Sequence, residues 1–185
     1  KRKNISKFYY IGGNDSSDSL KIISNFAKEK SYKLQCIHVP KTIDNDLVLN
    51  DHTPGFGSAA KYVAQLFSGI SYDVRSLPGV YIGIVMGRHA GFLTASSSLL
   101  RNNRDDGPNL IFIPENPFSM ESFLMSIKKE FLKYGRCVVA VSEGIQNTKG
   151  ELFAEKIKKK NEFDDHGNIQ LSGSGMLGDY LANEV

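Results

Sequence analysis

VYIGIVM, at residues 80–86, is a nearly continuous apolar run that ends at Gly87 and Arg88. A short run of this kind without polar alternation indicates a strand that is buried on both faces. Further apolar runs are predicted to be strands at residues 7–11, 34–39, 109–113 and 137–141. Such strands are typical of parallel sheets, in which helices cover both faces.

Helices are predicted between these strands, where apolar residues recur at helical spacing. The clearest helix is residues 119–134, which has Phe123, Ile127 and Phe131 in period and Gly135 as its stop. Others are predicted at residues 17–30, 57–70 and 90–100, and a last one begins near residue 174. Strands that alternate with helices predict an α/β fold with doubly wound, mostly parallel sheets.

Composition argues against several classes of protein. With 185 residues, 41% hydrophobic and 23% charged, the chain is ordinary for a soluble globular protein. No apolar run reaches the length of about 18 residues that a membrane helix needs. The net charge of +3 is mild, and the basic run at residues 156–160 is interpreted as a solvated face, so no nucleic-acid partner is expected. Cys36 and Cys137 lack metal-binding spacing and are predicted to be free thiols in the reducing cytoplasm.

The ends of the sequence and a charged segment before the last helix each support a prediction. The chain starts almost inside a predicted strand and stops inside a predicted helix, so we expect a fragment of a longer protein. Residues 150–175 are charged and rich in Asn, Asp and Gly, and are predicted to form an exposed excursion before the last helix.

Two motifs follow predicted strands, at the edge of the sheet where doubly wound folds bind ligands. In the first, Gly12 and Gly13 would let backbone N–H groups approach a phosphate. Asn14 or Asp15 could then reach a Mg²⁺ ion that bridges phosphate oxygens. A glycine pair after a strand is also consistent with an ordinary tight turn, which is the simpler interpretation of this motif alone.

The second motif is PKTIDND, at residues 40–46. Two carboxylates two residues apart, Asp44 and Asp46, can divide the tasks of accepting a proton and holding a metal. Lys41 would neutralise phosphate charge, and the Thr42 hydroxyl can donate to a phosphoryl oxygen. The alternative interpretation is a surface turn rich in Asp and Asn, but the complete string is more specific than that.

PKTIDND, together with MGR at residues 86–88 and Pro114-Glu115, resembles the phosphofructokinase family over about residues 8–144. The resemblance implies a two-domain phosphofructokinase-like architecture that is incomplete in this chain. Residues 1–54 would be the end of the phosphoryl-donor domain and residues 55–185 part of the sugar-phosphate-binding domain. The implied reaction converts fructose 6-phosphate to fructose 1,6-bisphosphate with Mg²⁺, in a cytoplasmic homo-oligomer of full-length chains.

The same resemblance implies roles for individual residues. Asp44 would be the general base toward the sugar 1-hydroxyl, Asp46 would support Asp44 and Mg²⁺, and Arg88 would stabilise charge in the transition state. Thr42 would contact the transferred phosphoryl group or the sugar. The rest of the sugar site would consist of Met86, Gly87 and Glu115.

The phosphoryl donor is predicted from two positions. Pyrophosphate-dependent members resemble this chain in having Asp15 and Lys41, whereas ATP-dependent members generally have glycine at both. The larger side chains would fill the room of a nucleotide's α-phosphate, and the lysine would pair with pyrophosphate. Gly12 and Gly13 would complete the donor site. Asn14 departs from the more common aspartate, so Asp15 or Asp46 is the expected metal ligand.

Two alternatives remain open at this point. One is an ATP-dependent 6-phosphofructokinase, because some ATP-dependent members keep the Pro-Lys-Thr string. The other is a non-catalytic regulatory subunit on the same fold, although the presence of Asp44, Asp46 and Arg88 argues against it.

Overall fold

The computed structural model describes residues 4–157 and 175–185. Its strands and helices alternate, in the order β1 (Lys7–Gly12), α1 (Asn14–Glu29), β2 (Gln35–Pro40), α2 (Phe56–Ser76), β3 (Val80–Val85), α3 (Phe92–Ser96), β4 (Leu110–Phe112), α4 (Met120–Tyr134), β5 (Cys137–Ser142), α5 (Phe153–Ile157) and α6 (Met176–Glu184). All five predicted strands are present. None of the helices within the described ranges is both long and apolar enough to cross a bilayer.

The strands form two parallel sheets. β1 pairs with β2 from Lys7 opposite Gln35 to Gly12 opposite Pro40. The second sheet has the order β3-β5-β4, with β5 in the centre. The strands of the first sheet precede residue 54 in the chain, and those of the second sheet follow it. The prediction of an α/β fold with parallel sheets is confirmed.

β5 is the core of the larger sheet because every one of its six residues is buried. Its alternate side chains point to opposite faces, as in any strand. Val139 and Val141 pack in a cluster with Phe123 of α4. Val138 and Ala140 pack in a second cluster with residues of α2 and α3. Helices therefore cover both faces of this sheet, as the apolar sequence of the strand predicts.

Within the described residues, a helix covers one face of β1, and cover for its other face stays a prediction. α1 packs through Leu20 and Ala27, but Tyr9 and Ile11 on alternate positions of β1 remain 57% and 70% exposed. An apolar strand sequence indicates that a face is suited to burial, and it does not say what covers it.

Two helix boundaries differ from the prediction in ways that matter later. α1 begins at Asn14, three residues before the predicted start, so that Asn14 and Asp15 lie in its first turn. The helix predicted at residues 90–100 is α-helical only over Phe92–Ser96. The hydroxyl groups of Ser96, Ser97 and Ser98 each donate to the carbonyl three residues earlier, which favours tight turns over further helix.

The segment predicted as an exposed excursion begins with a short helix. α5 packs Phe153 against Phe118, with 4.8 Å between ring centroids, and Gln146 forms a bridge with Leu152. The excursion prediction is therefore wrong for this beginning, because Phe153 contributes to the aromatic cluster. Residues 158–174, which include most of the basic run at 156–160, lie outside the described residues.

A charged cluster lies where α2 ends and β5 begins. Arg75 contacts Asp106 at 2.7 Å, and Arg136 contacts Asp105 at 2.9 Å. One oxygen of Asp106 also accepts hydrogen bonds from the backbone N–H groups of Asn102 and Asn103, at 2.9 and 2.8 Å. These N–H groups, that of Asn103 most strongly, together with Arg75 hold the pKa of the Asp106 carboxyl below its usual value.

We expect Asp106→Asn to lower the free energy of unfolding at pH 7 by about 1 kcal/mol, since the ionised acceptor is lost. A depressed native pKa stabilises the fold fully above the unfolded pKa of about 3.9, and this stabilisation disappears as the pH falls through the native value. The difference between the two proteins should therefore narrow below about pH 4. Urea titrations of both full-length proteins at several pH values measure this difference in the free energy of unfolding. Asp73→Asn, at an exposed site on α2, is the matched control, and an equal effect there would contradict the prediction.

Candidate functional site

A polar cavity of about 380 Å³ lies at the carboxyl ends of both sheets. It is lined by residues that follow β1, β2, β3 and β5, which is where a doubly wound fold is expected to bind ligands. Another cavity, of about 640 Å³, lies between α2 and α3, is mostly apolar, and contains none of the predicted site residues. The polar cavity is therefore the candidate active site, although the apolar cavity is larger.

Most of the residues predicted from sequence meet in this cavity. Those that line it are Gly13, Asn14, Asp15, Lys41, Thr42, Asp44, Asp46, Met86 and Arg88. Gly12, Gly87 and Glu115 do not line it. The structure thus brings the two positions predicted to bind the phosphoryl donor, both carboxylates of the heptapeptide and the arginine of the MGR string to one place.

The first loop is a tight turn that depends on Gly12. A side chain at this position would place its Cβ 2.0 Å from the Ser16 hydroxyl oxygen, so the helix could not begin where it does. The Gly12 carbonyl accepts a hydrogen bond from the backbone N–H of Lys41, at 2.9 Å. Gly12 therefore shapes the loop and joins it to the next one. A direct contact of Gly12 with the donor stays a prediction.

Asn45 holds the second loop, and sequence reasoning assigned it no role. It is buried and has a left-handed backbone, with φ of 59°, which asparagine tolerates better than most residues. Its side-chain oxygen accepts from the backbone N–H of Thr53 at 2.9 Å, and its amide donates to the Asp51 carbonyl at 3.3 Å. Asn45 anchors the loop, while the residues on either side, Asp44 and Asp46, both line the cavity.

Asp44 is suited to accept a proton. Its Oδ1 is buried and makes no hydrogen bond. Burial and, after it, the neighbouring charge of Asp46 raise the pKa of the Asp44 carboxyl, while Arg88, His89 and Lys41 oppose the rise. A carboxylate that is buried and unpaired is more basic than an exposed one. The backbone N–H of Asp44 donates to the Thr42 hydroxyl at 3.1 Å, which ties this position to the loop.

Glu143 is a second buried carboxylate in the cavity, and it was missed from the sequence. It follows β5 directly, is 8% exposed, and accepts from the backbone N–H of Gly87 at 3.3 Å. Burial is the main cause that raises its pKa. The available signal was an acidic residue immediately after the most apolar strand, at the edge of the sheet where the other site residues occur.

Close backbone contacts fix the loops after β3 and β5 against each other. The Ser142 hydroxyl donates to the Gly87 carbonyl at 2.6 Å. A Cβ at Gly144 would lie 2.1 Å from the Arg88 carbonyl, and Gly87 itself has φ of 142°. Only glycine permits both approaches. Gly87 therefore positions Arg88 and Glu143 from behind the cavity wall, and its predicted contact with the sugar stays a prediction.

Glu115 lies apart from the cavity lining. Its Oε1 accepts a hydrogen bond from the backbone N–H of Gly91 at 2.8 Å, which connects the end of β4 to the start of α3. The role predicted for Glu115, an acceptor for sugar hydroxyls, stays a prediction.

The carboxylate oxygens in the cavity fit a Mg²⁺ ion that arrives together with a phosphate ligand. Among the described residues, no group of three or more His, Cys, Asp or Glu side chains is placed to hold a metal by itself. Asp44 and Asp46 each have a buried oxygen without a hydrogen-bond partner. Mg²⁺ commonly uses one or two carboxylates and completes its shell with phosphate oxygens and water.

The chain is similar in sequence to known proteins. A sequence profile described as phosphofructokinase matches residues 1–181. A pyrophosphate–fructose 6-phosphate 1-phosphotransferase of Rhodospirillum rubrum is 56% identical over 185 residues, which are 100% of this chain and 46% of that protein. An ATP-dependent 6-phosphofructokinase of Amycolatopsis methanolica is 31% identical over 92% of this chain and 34% of that protein.

A solved structure has the same fold. The crystal structure of a pyrophosphate-dependent phosphofructokinase from Marinobacter aquaeolei superposes with a TM-score of 0.65 and 42% sequence identity, and the match covers 79% of this chain and 38% of that one. The chain thus spans less than half the length of the relatives it matches. Because the family profile matches nearly all of the sequence, the chain belongs to the phosphofructokinase family.

Proposed function

We propose that the full-length protein transfers a phosphoryl group from pyrophosphate to the 1-hydroxyl of fructose 6-phosphate, giving fructose 1,6-bisphosphate. The observation that carries the proposal is the meeting of Asp44, Asp46, Lys41 and Arg88 in one cavity, with a buried and unpaired oxygen on Asp44. Phosphoryl transfer needs a base, cations and precise positioning, and little covalent participation by the protein. This cavity supplies these groups.

In this mechanism the carboxylate of Asp44 accepts the proton of the attacking 1-hydroxyl, so the sugar oxygen is free to attack phosphorus. Its raised pKa makes it a stronger base than an exposed aspartate. Arg88 and Lys41 balance the negative charge on the phosphoryl oxygens as it redistributes. Asp46 and Asp15 would hold Mg²⁺, which would neutralise part of the donor's charge. Glu143, which also lines the cavity, is a candidate acceptor for a substrate hydroxyl.

Pyrophosphate is proposed as the donor because both donor positions lie in the cavity lining with charged side chains. Asp15 and Lys41 extend from the first turn of α1 and from the end of β2. They reduce the room for the rest of a nucleotide, and the lysine can pair with a diphosphate. The name of the Rhodospirillum rubrum relative supports the same choice. ATP is the second candidate, favoured by the name of the Amycolatopsis methanolica relative.

The donor is tested by measuring fructose 1,6-bisphosphate formation by the full-length protein with Mg²⁺ and either pyrophosphate or ATP. We expect turnover with pyrophosphate, and we expect Lys41→Ala to lower kcat/KM for pyrophosphate by about tenfold to a hundredfold. Lys21→Ala, an exposed lysine on α1, is the matched control. Turnover with ATP and none with pyrophosphate would overturn the proposed donor and leave the role of Asp44 open.

The base is tested separately with Asp44→Asn, which keeps the shape of the side chain and removes its basicity. We expect kcat to fall by about 10²-fold to 10⁴-fold with the substrate KM values nearly unchanged. Asp51→Asn, an exposed aspartate of the same loop, should retain activity. A near-normal kcat for Asp44→Asn, with the thermal transition also unchanged, would exclude Asp44 as the base.

A further inference from the structure

Asn14 makes a contact that the proposed reaction does not explain. Its side-chain amide donates a hydrogen bond to Oδ2 of Asp46, at 2.9 Å. Asn14 is the first residue of α1, and Asp46 lies in the loop after β2. The bond therefore joins the two loops that carry the donor side of the cavity, next to the backbone hydrogen bond from Lys41 to Gly12.

The two carboxylate oxygens of Asp46 differ, because only one of them accepts a hydrogen bond. Oδ2 is held by the amide, whereas Oδ1 is buried and has no partner. A carboxylate held in this way keeps one orientation, and only its Oδ1 remains as an acceptor without a partner. Because an amide is neutral, Asn14 provides this restraint without adding charge.

The neutral charge of the Asn14 amide matters because the cavity already contains many carboxylates. Five carboxylates line it, on Asp15, Asp18, Asp44, Asp46 and Glu143. The permanent cations in the lining are those of Lys41 and Arg88, so the excess is negative. An aspartate at position 14 would place an oxygen where the amide nitrogen now lies, 2.9 Å from Asp46. Two carboxylates at that distance require a shared proton or a bound cation.

We propose that Asn14 is a positioning residue that orients Asp46 and keeps the cavity from binding a divalent cation before the donor arrives. This inference rests on the proposed function, in which the cation serves the phosphoryl donor. Carboxylate oxygens that are not paired with one another bind Mg²⁺ weakly, since the ion needs several oxygen ligands at once. The donor's phosphate oxygens supply the missing ligands, so cation and donor enter the cavity together. The identity of residue 14 thus sets the order in which the two bind.

The experiment measures Mn²⁺ binding to the full-length protein without any phosphoryl donor, from the electron paramagnetic resonance signal of free Mn²⁺. Mn²⁺ takes the same oxygen ligands as Mg²⁺. We expect weak binding by the wild type and binding about tenfold tighter or more by Asn14→Asp, which creates a carboxylate pair with Asp46. Mn²⁺ should also raise the thermal transition of this variant more than that of the wild type.

Two further variants separate pairing from total charge. Ser17→Asp adds the same charge at an exposed site in α1 and should leave Mn²⁺ affinity nearly unchanged. The double variant Asn14→Asp with Asp46→Asn reverses the hydrogen bond and keeps the wild-type charge, so its affinity should return to the wild-type level. Since no donor is present, these results do not depend on which donor the enzyme uses.

Two outcomes would overturn the inference. One is wild-type Mn²⁺ binding that is already as tight as that of Asn14→Asp. The other is an equal gain for Ser17→Asp, which would assign the effect to overall charge. If Asn14→Asp needs metal to fold, recovery of its thermal transition by Mn²⁺ supports a carboxylate pair with Asp46. If Mn²⁺ has no effect and only the double variant folds, the inference is contradicted. A failure of the proposed reaction would instead appear as absent turnover by the wild type.

Discussion

The arrangement of the larger sheet depends on β5, which is buried over its full length and hydrogen-bonds to a strand on each side. β3 pairs with all six of its residues and β4 with Val139–Val141, while the backbone N–H of Val138 donates to the side-chain oxygen of Asn109. At the carboxyl end the chain meets the loop after β3, through the hydrogen bonds of Ser142 and Glu143 to Gly87. The central strand therefore places Glu143 directly, and it holds Arg88, which follows the edge strand β3, through the contacts to Gly87.

The two sides of the cavity are built in different ways. On the side of the larger sheet, close backbone contacts at Gly87 and Gly144 define the wall. On the side of the smaller sheet, side-chain hydrogen bonds of Asn45 and Asn14 define the positions of the carboxylates. Both devices use neutral groups to hold charged ones. This is physically sensible, because a further charge among so many carboxylates would have to be neutralised in turn.

Much of the fold and of the site could be predicted from sequence, for reasons that particular residues illustrate. The apolar runs gave the strands, and polar residues just after them indicated the cavity, since parallel strands bring those loops to one edge. Glu143 was missed because a single acidic residue after a strand has no distinctive pattern. Asn45 was missed because its role depends on a backbone angle and on partners in residues 51–53.

The hydrogen bonds that hold the donor-side loops do not involve the side chains of Asp15 and Lys41. Both side chains are exposed, and only the backbone of Lys41 takes part in the loop, through its bond to Gly12. Substitutions at these two positions can therefore change what the cavity admits while the loops keep their shape. Under the proposed function, the preferred phosphoryl donor could therefore change without disturbing these hydrogen bonds, whereas a substitution at Asn45 would remove the anchor between Asp44 and Asp46.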